Sequence, residues 1–167
     1  DNLNTLEDPR RAIIATGATA LVTNAPIGFK GIDSGYAGSD SQFKYNASTL
    51  LNVQAQNPMQ IYILTYAEVE FIKAELAQRG LIADGKGHYE NGVKAAIEHV
   101  KAVAPATYFD KPEAQYNGTL ERIMLQKYYA LYFTDYQQWF EYRRTGFPVL
   151  PKTTAMLNDG IMPSRFT

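Results

Sequence analysis

The chain has 167 residues, of which 46% are apolar, with a net charge of −1 and no cysteine. That is enough for one domain with a real core; it argues against bulk disorder and against nucleic acid as the main partner, because phosphate binding needs a basic face. Without cysteine there is no disulfide, thiol nucleophile or Cys-based zinc site, and no apolar run approaches the roughly 20 residues that span a bilayer.

The chain opens at Asp1 without Met or a signal-like segment, and closes on "GIMPSRFT", where Ile161 and Phe166 look like the start of another packed segment. It is expected to be a piece of a longer protein, so localisation cannot be read directly from these residues. Residues 1–57 read as an irregular, loop-rich segment packed on a helical part, 58–167, within one domain. The apolar run Ala12 to Ala15 suits a strand or a core-crossing segment. "GFKGIDSGYAGSDSQFKYNAS", Gly28 to Ser48, is rich in Gly, Ser, Asp and aromatics and predicts a long loop. Loops of that length are usually functional or mobile.

The next stretch is helical. Thr65 with Glu68 three residues later is a capping box, Val69, Ile72 and Leu76 share one helical face, and Gly80 suits the C′ position. These predict a helix from about Tyr66 to Arg79. After the "LIADGKG" turn, Tyr89, Val93, Ala96, Ile97 and Val100 form a second face, closed by Pro105. The pair has the size of a tetratricopeptide-like unit, about 35 residues. Thr119 caps a third helix with Leu120, Ile123, Met124, Lys127, Tyr128 and Leu131 inward, and Thr134–Asp135 marks a kink or a new start. Gly146 and Pro148 end the helical run. The fold class is mostly α: tetratricopeptide-like helix pairs with long irregular loops.

Catalytic equipment is sparse. His88 and His99 are too far apart for one helical turn and read as surface or helix-end residues. "DGKGHYENG" puts Lys86 where a calcium loop needs an oxygen ligand. "GIDSG" has the wrong spacing for a nucleophile elbow. Glu68 is accounted for by capping, and Glu70 and Glu75 by solvation. No enzyme activity, cofactor or metal is expected.

"WFEYRRTGFP", Trp139 to Pro148, reads mainly as core and cap. Glu141 pairs with Arg144 at i+3, Arg143 lies over a ring or grips a carboxylate, and Gly146 is the C-cap. The alternative is a sugar platform built on Trp139. Four ordered motifs then bear on its meaning: Tyr66-Ala67-Glu68, Tyr89 to Val93, Gln126 to Leu131, and Trp139 to Pro148. Together with "DPR", Asp8 to Arg10, and "MPSRF", Met162 to Phe166, they resemble the C-terminal part of the SusD/RagB family of Bacteroidetes.

The resemblance implies an outer-membrane nutrient-binding lipoprotein, considerably longer than this chain, whose signal peptide and lipidated Cys lie outside it. It implies a non-catalytic lid on a SusC-like TonB-dependent transporter, capturing glycans or, in some members, peptides, without nucleic acid. Tyr66, Glu68, Trp139, Arg143, Arg144, Gly146 and Pro148 are then a scaffold signature, and ligand contacts come from loops. Within this chain the expected site is the 28–48 loop. Tyr36, Phe43 and Tyr45 would stack on sugar faces, and Asp33, Asp40 and Gln42 would bind hydroxyls. Each aromatic contact of this kind is worth about 1 kcal/mol beyond its area. The competing expectation is that Phe43 and Tyr45 only anchor the loop. Two other functions stay open: a tetratricopeptide-like protein-interaction module, and a hydrolase using unpaired carboxylates.

Overall fold

The computed structural model describes residues 2–32, 38–39, 43–50, 61–150 and 152. The chain divides into two compact units, residues 1–53 with 150–167, and residues 54–149. Among the described residues the structure is mostly helical, as the sequence predicts.

The first unit holds two one-turn helices, α1 (Asn2–Thr5) and α2 (Arg11–Ile14), and a pair of two-residue strands, β1 (Thr19–Ala20) and β2 (Tyr45–Asn46). The strands are antiparallel, with Thr19 opposite Asn46 and Ala20 opposite Tyr45. Isolated bridges join Ala15 to Leu50 and Thr19 to Pro26. Two expectations change here. The apolar run 12–15 is mostly a helical turn, and only Ala15 leaves it extended. The end of the 28–48 stretch is not free loop, because β2 pairs back onto β1. Between the helices, Asp8 and Arg10 form a buried fork: Arg10 Nε donates to Asp8 Oδ1 at 2.8 Å and Nη2 to Oδ2 at 2.6 Å.

The second unit holds α3 (Tyr66–Gln78), α4 (Gly85–His99), α5 (Leu120–Ala130) and α6 (Gln137–Thr145). Thr65 Oγ1 accepts from the Glu68 backbone N–H, and the Glu68 carboxylate takes the Thr65 N–H in return, so the capping box is complete. Asp84 and Thr119 cap α4 and α5 in the same way, accepting from Gly87 and Arg122. Gly80 and Gly146 take the left-handed conformation that follows a helix, at φ 76° each. Between α5 and α6 the chain turns through Phe133 and Asp135, both left-handed, which is the break expected at Thr134–Asp135.

The helices α3 and α4 make the most extensive contact, and α5 packs on both. Phe71, Tyr89, Val93, Ile97, Ile123 and Met124 are fully buried, each contributing about 1.5–3 kcal/mol. The Tyr89 hydroxyl reaches the core without an unmet bond, donating to the Ala114 carbonyl at 2.8 Å. The face of α4 is the predicted one. That of α3 is not: the buried residues are Ala67, Glu68, Glu70, Phe71, Ala74 and Glu75, whereas Ile72 is exposed and Val69 and Leu76 are half-buried. Small Ala67 and Ala74 flank Phe71 and let α4 approach closely. Gly92 of α4 sits on the Phe71 ring, where a Cβ would meet ring carbons at 3.1 Å. Nor are Glu70 and Glu75 solvated, contrary to the expectation from sequence. Both are buried because each meets a cation at a helix contact.

Candidate functional site

In the second unit the ionisable side chains converge on α6. Arg144 grips Glu75 with both nitrogens, Nη1 to Oε1 and Nη2 to Oε2, each at 2.6 Å. Its Nη2 also donates to Glu141 at 2.7 Å, and Lys127 Nζ lies 3.3 Å from the same carboxylate. Arg79 adds a third bond to Glu75 at 2.6 Å. The Arg144 hydrogen bond holds the Glu75 carboxyl below the ordinary range against the effect of burial, and the Glu75 and Glu141 bonds raise the Arg144 guanidinium. Burial pushes Glu68 up, outweighing the field of Lys127. Burial also pushes Glu70 up, but hydrogen bonds from Lys73 at 2.7 Å and His88 at 2.9 Å together leave it lowered.

This arrangement fastens α3, α4, α5 and α6 to one another. It explains the paired arginines: Arg144 turns inward to α3, while Arg143 lies 6.0 Å from the centroid of Trp139, which stacks on Tyr142 at 6.1 Å. Among the described residues no group of three or more His, Cys, Asp or Glu is placed to hold a metal ion, and no helix is long and apolar enough to cross a membrane.

The first unit presents the loop-borne aromatics. Of the six expected ligand residues, Phe43 and Tyr45 are described and stand together, ring centroids 5.6 Å apart and edge-to-face. Tyr36, Asp33, Asp40 and Gln42 lie outside the described residues. The β1–β2 pair fixes Tyr45, and Asn46 Nδ2 donates to Thr19 Oγ1 across it at 3.1 Å. The Tyr45 hydroxyl donates to the Gly31 carbonyl at 3.0 Å, and Lys30 Nζ lies 4.2 Å from the Tyr45 ring centroid. Lys30 is held in turn by Ser48: its N–H donates to Ser48 Oγ at 3.0 Å, and its carbonyl accepts from the Ser48 N–H at 2.8 Å. Lys30 leaves no signal in the sequence. A lone lysine in a polar loop carries no periodic signal, and its ring partner is fifteen positions away, brought near by a strand pair too short to predict.

Comparison with known proteins adds a context. The model of a family described as SusD-like, starch-binding and associating with the outer membrane, matches residues 1–167. A chitin-binding protein of known structure is 26% identical with a TM-score of 0.74, over 96% of this chain and 39% of its own. A SusD-like protein from Bacteroides thetaiotaomicron VPI-5482 is 25% identical, TM-score 0.71, over 99% of this chain and 42% of its own. A chitin-binding SusD homologue from Flavobacterium johnsoniae is 26% identical, TM-score 0.70, over 95% and 38%. The chain thus spans about two fifths of the length of these structures. No curated protein matches it.

Proposed function

The chain belongs to the SusD-like family, and from that premise we propose that it is part of a surface protein that captures glycans without transforming them. The bound glycan passes to a SusC-like TonB-dependent transporter in the outer membrane, and the protein is held there by a lipid anchor borne outside these residues. The observation that carries the reading is the family match along the whole chain, joined by two chitin-binding neighbours of the same fold.

The charges of the helical unit favour binding over catalysis. A hydrolase would need an acid and a base left available to substrate, whereas Glu70, Glu75 and Glu141 are each tied to a lysine, arginine or histidine on another helix. The aromatics of the 28–48 loop, Tyr36, Phe43 and Tyr45, with Asp33, Asp40 and Gln42, are the proposed contacts.

Affinity electrophoresis of the intact protein through gels containing soluble starch or glycol chitin tests this. Retardation without release of reducing sugar supports capture. Unretarded migration in every glycan, or release of sugar by the pure protein, overturns it.

A further inference from the structure

We propose that Lys30, seated on Tyr45, is a recognition group for an acidic sugar, so that the glycan taken at this loop carries carboxylate or sulfate groups. The inference rests on the glycan-binding reading above and narrows its ligand class.

Both partners of the pair are fixed before any ligand arrives. Ser48 holds the backbone of Lys30 on both sides, and the Tyr45 ring is pinned by its hydroxyl on Gly31 and by the edge contact of Phe43. Lys30 is exposed. Lys73, Arg79, Lys127 and Arg144 of the helical unit each pair with a carboxylate, and Lys94 lies 5.5 Å from the Phe109 ring centroid. The Lys30 ammonium comes closer to its ring, at 4.2 Å, and among the described residues no carboxylate pairs with it.

Two consequences follow for a ligand. The ammonium covers one face of Tyr45, so that face is closed to the flat stacking that suits a neutral pyranose. An ammonium keeps donors free for an incoming group, and a charged acceptor gains about twice what a neutral hydroxyl gains from such a donor. The ring holds the cation without neutralising it, which a carboxylate partner would do. Lys44 provides an internal contrast. Among the described residues it also has no carboxylate partner, but it precedes β2 at a bend and has no ring contact.

The test is calorimetric titration of the intact protein with trigalacturonate, a sulfated trisaccharide, chitotriose and hexaglutamate, at low and at physiological salt. An acidic trisaccharide should bind about tenfold tighter than chitotriose, and more weakly as salt rises. Lys30→Gln should remove most of that advantage, and chitotriose should bind no more weakly, because the variant uncovers the Tyr45 face. Lys44→Gln, with the same loss of charge, should alter acidic-sugar affinity less than about twofold. Preference for the carboxylated or the sulfated sugar identifies the anion, and either supports the assignment. Chitotriose binding as tightly as the acidic sugars, unaffected by Lys30→Gln, overturns the acidic preference and leaves glycan capture standing. Hexaglutamate binding as tightly as the sugars, with the same dependence on Lys30, makes the site a reader of acidic peptide and overturns it too. Binding of no sugar at all defeats both readings.

Discussion

Arg144 joins two carboxylates at once, bonding Glu75 of α3 and Glu141 of its own helix. Removing one member of a fully buried ion pair costs about 3–5 kcal/mol. Arg144 is 41% exposed and Glu75 keeps Arg79, so Arg144→Met should cost about 2 kcal/mol, read as a lower urea midpoint. Arg144→Lys should recover only part of it, because an ammonium cannot match both carboxylate oxygens. The pH dependence follows from the same contacts. The carboxyls of Glu70 and Glu75 are lowered from 4.5 in the folded state, so their contribution is present above that value and lost as pH falls through the folded one. Glu68 is raised, so its contribution has the opposite sign: present below 4.5 and lost as pH rises through its folded value. Urea midpoints measured across pH 3 to 7 should therefore fall toward acid in the wild type, fall less in Glu75→Gln, and stand at or above the wild type near neutrality in Glu68→Gln. A glutamine at that position still completes the cap.

At the scale of elements, the helix ends and one close crossing set the arrangement. Thr65→Ala and Thr119→Ala should each cost about 1 kcal/mol, because each leaves a first-turn N–H without its acceptor. Gly92→Ala should cost about 1–3 kcal/mol, since the new methyl meets the buried Phe71 ring and the α3–α4 contact must open. Thermal melts of the three variants check these magnitudes. The caps were legible because they are local: Thr65 with Glu68, Thr119, Gly80 and Gly146 all stand where the sequence places them. The buried face of α3 was not. Val69, Ile72 and Leu76 and the rival set Ala67, Phe71 and Ala74 both repeat at helical spacing, and packing against Gly92 and the cations decides between them. The Glu75–Arg144 bond joins residues that only the fold brings together. The β1–β2 pair has two residues per strand, too few for an alternation pattern to show.

At the scale of the whole molecule, the chain spans about two fifths of the length of its neighbours of known structure. Its 167 residues provide a helical scaffold together with an aromatic loop that the scaffold's sequence motifs do not specify. In "WFEYRRTGFP" the expected core does not form: α6 has no fully buried residue and Phe140 is exposed, while Arg144 and Glu141 make the helix-to-helix bonds. The proposed ligand contacts lie in the loop, where Tyr45, Phe43 and Lys30 stand together. The most direct measurement is a thermal-shift screen of the intact protein and of its Tyr36→Ala/Tyr45→Ala double variant, against starch, chitin and uronate oligosaccharides and short peptides. Ligand at a hundred times its dissociation constant stabilises by about 2.7 kcal/mol, a shift easily seen in melting. Glycan capture at the loop predicts that one class of oligosaccharide raises the melting temperature of the wild type and fails to raise that of the double variant. Equal shifts in both proteins, or shifts with peptides alone, would contradict it.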